Sequence, residues 1–465
     1  MKLVMKFGGT SIGNGKKIRQ VAELVKEYKE KGNDIIVVTS ALEGVTDAIL
    51  HAAHEASGEG NKIKANEFIS NITAQHKKAL YDAVENDLVD DTIAKLDVLF
   101  TDFKNDLNGI CSLGELTLRS TDKLSSYGER LVAPILSASL RSVGIESESF
   151  TGGEIGILTD DNYGSAYPFE STYKAVKDHI SKLSETSIPV ISGYIGVNKS
   201  GAITTLGRGG SDFTASIIGA SIKADEIWLW KEVHGIMTTD PKLVPEARPL
   251  SIISYIEAME MSFFGAKVLH PKAIEPAIRH DIPVRVKNTF DPDYPGTLVV
   301  KEQETGENVV KAVTVIDNVA LINISGAGMV GTIGVAARVF NTLADAKVNI
   351  VMISQGSSEA NLSIVVDESQ QITAVEVLKK EFINGVVGEI ESDAHIAVVA
   401  VVGADMAGIP GVAGNVFRAL GDNNINVIMI SQGSSQHNIS FVVKKEAATK
   451  TVQILHKEFS LDILK

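Results

Sequence analysis

The sequence predicts an α/β domain with a mainly parallel central sheet, followed by two copies of a small α+β sandwich. Three observations predict it. Strand patterns alternate with helix-spaced segments to about residue 300. A polar, charged stretch, KEQETGEN at 301–308, then interrupts the pattern. Beyond it the chain repeats itself: VNIVMISQGSS at 348–358 returns as INVIMISQGSS at 425–435.

The alternation starts immediately. KLVMKF (2–7) and DIIVVTS (34–40) read as buried strands. Between them, 15–31 carries Ile18, Val21, Leu24, Val25 and Tyr28 at helical spacing, so residues 2–40 form a parallel βαβ unit. Residues 50–110 are polar and helix-prone and read as an inserted helical lobe. His51 and His54 lie there at i, i+3; with no third ligand nearby they read as a solvated face rather than a metal pair. Further strands are expected within 188–198, 226–230 and 282–288.

The repeat aligns without gaps. Gly326, Met329, Gly331, Gly334 and Phe340 meet Gly403, Met406, Gly408, Gly411 and Phe417, at the 77-residue offset that separates Ser354 from Ser431. Each copy reads strand, Gly-rich turn, helix, hairpin, helix. Copy one closes with a strand near 387–392, whose counterpart in copy two would fall past Lys465. A spare strand, NVVKAVTVI at 308–316, precedes copy one. A bare sheet edge invites aggregation, so 308–316 is predicted to cross over and complete copy two. The expected domains are 1–302, 308–392 and 393–465.

Composition narrows the function. A chain of 465 residues is too long for one core. With 44% hydrophobic and 22% charged residues it is ordinary globular material. A net charge of −14 argues against a nucleic-acid partner. Cys111 is the only cysteine, so no internal disulfide forms, which fits a reducing cytoplasm. No signal-peptide pattern precedes the first strand. No apolar run reaches the about 18–20 residues that span a membrane. An acidic, cytoplasmic protein of this kind must hold anions with local charge.

That charge sits at strand ends. MKFGGTS (5–11) sets Lys6 before Gly8, Gly9 and Thr10, where close backbone approach and a helix start suit a phosphate; an incidental Gly-Gly turn would look the same. In TTLGRGGSD (204–212), Arg208 suits bidentate capture of a carboxylate or phosphate. There Ser211 and Asp212 either cap the next helix or, for Asp212, hold an ammonium. SSYGERL (125–131) puts Glu129 at the start of an apolar helix, a dipole partner or a site residue. TSALEGVTDAIL (39–50) offers the hydroxyls of Ser40 and Thr46. Lys242 lies in EVHGIMTTDPKLVPEA (232–247) and Lys267 in FGAKVLHP (264–271). Lys6, Arg208, Lys242 and Lys267 together describe a cationic crevice beyond the carboxyl ends of an open sheet.

In order along the chain, KFGGTS, SYGE, TTLGRGGSD, GIMTTDP and FGAKVLHP, followed by the tandem repeat, resemble the aspartate kinases of the amino-acid kinase superfamily. The repeats resemble ACT domains. The resemblance covers almost the whole chain. It implies a three-layer αβα kinase domain followed by two ferredoxin-like ACT domains. It also implies ATP-dependent phosphorylation of L-aspartate to 4-phospho-L-aspartate, which opens the route to lysine, threonine and methionine. The acceptor carboxylate is already ionised at pH 7, so the work is positioning and charge neutralisation.

By this resemblance Lys6, Arg208 and Asp212 are catalytic. Lys6 neutralises the moving phosphoryl group, with Gly8, Gly9 and Thr10 donating to phosphate. Arg208 grips a substrate carboxylate. Ser40, Thr46 and Ser211 hydrogen-bond the substrate, and Glu129 and Asp212 hold its ammonium. The nucleotide lies along Lys231, Glu232, Met237, Asp240 and Lys242 and reaches Lys267 and Val268. Magnesium rides mainly on the phosphates, with few or no direct protein ligands expected. Many relatives read Thr-Asp and a tyrosine where Lys231–Glu232 and Met237 stand here.

The ACT domains imply a homodimer, or a tetramer built from it, and feedback by an amino acid. Gln355 and Gln432 end apolar strands with a free amide. Asp405, Met406, Gly411 and Asn426 complete the expected effector residues. A hydroxyl fits Gln432 or Asn426, so threonine is favoured and lysine stands second. The competing expectations are another amino-acid kinase, acting on glutamate, acetylglutamate or a nucleotide monophosphate, and a non-catalytic amino-acid sensor.

Overall fold

The structure, a computed structural model, describes residues 1–183, 187–265, 269–301, 309–383 and 385–463. It divides into two compact units. The first takes in the described residues of 1–236, 251–255 and 269–302, the second those of 237–250, 256–268 and 303–465. A cut at 302 would place 237–250 and 256–268 with the first. Among the described residues no helix is long and apolar enough to cross a membrane.

In the first unit the opening βαβ is β1 (Lys2–Phe7), α1 (Gly15–Glu30) and β2 (Asp34–Thr39). Asn14 caps α1, its side chain accepting from Lys17 N at 3.0 Å. Ile18, Val21, Leu24 and Val25 form its buried stripe. Three helices follow: α2 (Val45–Glu59), α3 (Lys62–Ala83) and α4 (Asn86–Leu113). Their buried faces, including Ile69, Leu96 and Phe103, share one continuous core with Leu3, Met5 and Phe7, so this lobe is not a separate body. Phe103 is fully buried, and truncating it to alanine would cost about 3–5 kcal/mol.

The chain returns through α5 (Leu118–Ser125) and α6 (Tyr127–Ser142) to β3 (Ser147–Thr151), β4 (Leu158–Thr159), α7 (Ser171–Leu183), β5 (Ile188–Ser192), β6 (Ile195–Asn198) and β7 (Ile203–Thr205). Residues 188–198 are thus two strands, not one. Tyr194, at φ 71°, turns the chain out of the main sheet and into a three-stranded one, β4-β6-β7. Then come α8 (Gly210–Ile222), β8 (Glu226–Lys231), β9 (Ile252–Ser254), α9 (Tyr255–Phe263), α10 (Pro271–Arg279), β10 (Val284–Asn288) and β11 (Thr297–Val300). The main sheet runs β3-β5-β2-β1-β8-β10-β11-β9, parallel from β3 to β10.

Strand period sets the site. Phe7 pairs with Trp230, and their rings stack at 5.8 Å. Lys6 pairs with Leu229, so Lys6, Leu229 and Lys231 share the opposite face. There α8 packs, buried along its whole length.

The second unit holds β12 (Ala312–Ser325), α11 (Val335–Asp345), β13 (Ile350–Gln355), β14 (Asn361–Asp367), α12 (Gln371–Glu381), β15 (Glu389–Val402), α13 (Val412–Asp422), β16 (Met429–Ser431), β17 (Asn438–Lys444) and α14 (Ala448–Glu458). Its antiparallel sheet runs β13-β14-β12-β15-β17-β16. Ala312–Ile316 pairs with Val398–Val402 of the second copy, while Leu321–Ser325 pairs with 389–393 and with β14. The repeat is also a repeat of backbone. Glu359 and Gln436, 77 residues apart, both adopt positive φ, and their side chains accept from Gly331 N and Gly408 N.

Candidate active site

Two parallel strands and a helix converge at the carboxyl ends of β1 and β8. Lys6 comes from β1, Lys231 is the last residue of β8, and Asp212 projects from the first turn of α8. Asp212 Oδ1 lies 2.6 Å from Lys6 Nζ, and Oδ2 lies 3.1 Å from Lys231 Nζ. Burial pushes the Asp212 carboxyl upward, but the Lys231 and Lys6 ammoniums outweigh it and hold the group down at about 2. Asp212 is therefore ionised. Lys6 is lowered, because burial penalises its charge more than Asp212 restores it.

Glu129 completes the cluster from the start of α6. Gly128 permits its placement: a Cβ there would come within 2.9 Å of Ala41 Cβ and 3.0 Å of Thr46 Oγ1. Glu129 is 5% exposed, and its Oε2 has no hydrogen-bond partner. Burial pushes it up to about 8, with hydrogen bonds to Ala41 and its own backbone and the charge of Lys6 pulling back only in part. A buried acid lacking a partner for one oxygen is poised to receive a cation. Thr46 lies against Gly128, next to Glu129, and Ser40 directly follows strand β2.

Several expectations change on contact with the geometry. Ser211 and Asp212 do not cap α8; the helix starts at Gly210 with Gly209 as N-cap, at φ 71°, and no side-chain cap bond. Asp212 was expected to share the substrate ammonium with Glu129, but both its oxygens already face lysines. Gly8 N–H, expected to meet phosphate, donates instead to Trp230 O at 3.2 Å, because the β1–β8 ladder runs one residue past the strand. Gly9 opens the turn that follows, and Thr10 Oγ1 donates to Glu232 Oε2 at 2.7 Å. Arg208 is exposed in its glycine loop. Met237, Asp240 and Lys242 belong to the second unit, where Asp240 accepts from Lys242 N at 2.8 Å. Lys267 and Val268 lie outside the described residues.

Two residues beside this loop escaped sequence reading. Asp122 is buried and accepts from Thr205 N at 2.8 Å, Thr205 Oγ1 at 2.7 Å and Gly164 N at 3.0 Å, anchoring the strand that feeds the Arg208 loop. A lone acid three residues before SSYG was the only signal. His270 caps α10, and a Cβ on Gly209 would come within 2.9 Å of its own Cβ. Burial, then the Arg208 charge, lowers its pKa. The dipeptide His270–Pro271 was visible, but only Lys267 and Val268 of that motif drew a role.

In the second unit, a cavity of about 310 Å³ opens at the first copy's Gly-rich turn, lined by Met329, Gly331–Ala336, Gln355, Glu359 and Leu362. In the second copy Met406 is buried, Gly411, Asn426 and Gln432 are exposed, and Asp405 faces Lys311 Nζ at 3.9 Å. Asp405, one of the expected effector residues, thus already faces an ammonium of the chain itself.

Comparison with known proteins agrees with this geometry. Residues 1–288 match the model of the amino acid kinase family, and 322–382 and 399–459 each match an ACT domain. The chain is 33% identical over 468 residues to aspartokinase 1, chloroplastic, of Arabidopsis thaliana, covering 98% of this chain and 80% of that protein. It superposes on crystal structures of E. coli aspartokinase III at 28% identity and a TM-score of 0.81, covering 98% of this chain and 99% of that one. One of these is a complex with aspartate and ADP in the R-state, the other with lysine and aspartate in the T-state. The chain belongs to the amino acid kinase family, in its aspartokinase branch with C-terminal ACT domains. As a member it is an ATP-dependent kinase.

Proposed function

We propose that this kinase transfers the γ-phosphoryl group of ATP to the side-chain carboxylate of L-aspartate, giving 4-phospho-L-aspartate, the first step towards lysine, threonine and methionine. The observation that carries the reading is the Lys6–Asp212–Lys231 cluster beside Glu129, whose buried Oε2 lacks a partner. E. coli aspartokinase III, with aspartate and ADP, supports the acceptor and the adenine nucleotide by likeness.

An aspartate carboxylate oxygen attacks Pγ in line, the bond from Pγ to the β,γ-bridging oxygen breaks, and ADP leaves. No proton moves, so the chain supplies charge and alignment. Lys6 Nζ neutralises the transferring group, with Asp212 setting its position. Glu129 receives the α-ammonium once it gives up its proton, and Arg208 closes on the α-carboxylate. Thr46, Ser40 and Ser211 line the acceptor. Gly9 and Thr10 lie towards the phosphates. Glu232 serves the nucleotide. Magnesium arrives on the phosphates of ATP, which it keeps as ligands. The test is turnover with aspartate, glutamate and acetylglutamate, the acyl phosphate trapped by hydroxylamine. Turnover with glutamate alone would overturn the substrate assignment.

We further assign feedback inhibition by threonine to the ACT copies, through Gln355 and Gln432, by a shift towards a less active arrangement. Lysine is the second reading, favoured by one observation: the acid Glu359 lines the first copy's cavity beside Gln355. Initial rates against each amino acid decide between them. The proposed assembly is a homodimer through 303–465, checked by light scattering of the full chain and of a chain ending at 302. The proposed location is the cytoplasm, on the single cysteine; the plant relatives are chloroplastic by name.

A further inference from the structure

We propose that Lys231 is a second phosphoryl-neutralising residue, working from the same face of the sheet as Lys6. The inference rests on the phosphotransfer reading and adds to it a role for Lys231.

Register, charge and exposure support it. Lys6 pairs with Leu229, and Lys231 follows two residues later on the same face, so both side chains emerge beside the first turn of α8. Asp212 meets one ammonium with each oxygen, at 2.6 and 3.1 Å, and so spaces the two cations around a single small anion. Lys6 and Asp212 alone sum to zero charge. Lys231 gives the cluster its one surplus positive charge, which a polyanionic phosphate requires. A phosphoryl group in flight spreads charge over three equatorial oxygens, more than one ammonium can meet. The Lys231 backbone is held: it pairs with Asn288, and its carbonyl accepts from Thr289 N at 2.8 Å. Its side chain is 19% exposed, against 8% for Lys6 and 6% for Asp212, so it is the member of the trio most open to an incoming ligand.

The experiment compares Lys231→Met, Lys231→Thr and Lys231→Arg in the full chain. It measures steady-state rates with ATP and aspartate, calorimetric affinities for ATP and ADP, and melting temperature. Lys231→Met and Lys231→Thr should lower kcat on the order of 10²-fold, as removal of one preorganised charge does, with aspartate KM changed by less than about 3-fold. ATP affinity should fall at least about 10-fold, and ADP affinity much less, because the γ-phosphoryl group is what Lys231 meets. Lys231→Arg should recover part of both. An unchanged kcat, equal losses for ATP and ADP, or a loss that Lys231→Arg does not relieve while the melting temperature drops would overturn the proposal. If the wild-type chain binds ATP but spares aspartate, the substrate reading fails alone, and the ATP-to-ADP comparison still decides Lys231.

Discussion

The Glu257 carboxylate on α9 accepts the Ala404 N–H at 2.9 Å, at the mouth of the second copy's Gly-rich turn. Glu257 is fully buried, and from the same helix Glu260 accepts from Asn438 Nδ2. A stretch of chain between β9 and α10 is thereby fastened to the second copy's turn. Glu257→Ala would leave the half-buried Ala404 N–H without its acceptor, at about 1 kcal/mol. Urea unfolding of the full chain should show the second unit's transition earlier by that amount, with Glu257→Gln intermediate because its amide oxygen still accepts.

Lys6→Ala should lower kcat on the order of 10²-fold or more, with aspartate KM little changed, because the charge matters most as the phosphoryl group moves. Steady-state kinetics checks this. A normal kcat with a raised aspartate KM would move Lys6 to the substrate side.

Glu129 makes aspartate binding depend on pH. Below about 8 the empty site holds the acid protonated, and an ammonium ligand must displace that proton. Aspartate KM should therefore fall as pH rises towards 8, and binding at pH 7 should release a proton, read from calorimetry in buffers of different ionisation enthalpy. Glu129→Gln should abolish both effects.

The same group sets a stability trend. Between 4.5 and about 8 the folded chain keeps a proton that the unfolded chain has lost. This group's contribution therefore favours folding less as pH rises through that window. Glu129→Gln should gain stability over wild type on going from pH 6 to pH 9, measured by chemical denaturation without ligand.

Arg208→Ala should raise aspartate KM about 10- to 100-fold, the worth of one charge-assisted bond of about 1.5–3 kcal/mol, while ATP affinity holds. An equal fall in ATP affinity would place Arg208 over the phosphates.

Gln355→Ala and Gln432→Ala separate the two copies. If the first copy's cavity takes the effector, Gln355→Ala should raise the half-inhibiting threonine concentration about 10-fold or more, and Gln432→Ala should do less. Inhibition curves at fixed substrate give the answer.

How much the sequence revealed depended on range. Lys6, Glu129 and Asp212 could be read because each sits at a strand end or helix start, a local signal. Lys231 was visible as a departure, but its direction depends on the register of β8 against β1, which local pattern does not carry. The break at Tyr194 was hidden inside an apolar run that continues through it. The grouping of 237–250 with the second unit was hidden for another reason. It rests on partners far along the chain, such as Thr238 Oγ1 with His456 Nε2 at 2.9 Å and Arg248 Nε donating to Leu461 O at 2.9 Å. No spacing rule near 240 points to residues near 460. The 77-residue repeat was plain because duplication copies sequence and backbone together.

The pairing of Ala312 with Val402, and of Ser325 with Glu389, imposes an order of events on a chain emerging from the ribosome. Ala312–Ile316 is made first and must wait for Val398–Val402, with the whole first copy synthesised in between. The first copy in turn waits for 389–393 before its own sheet is full. Neither copy can finish early, so both should close late and together. The cost is two long loops closed at once. A chain stalled anywhere from 326 to 388 would present two incomplete sheets, each with a strand ready to pair with a neighbouring chain.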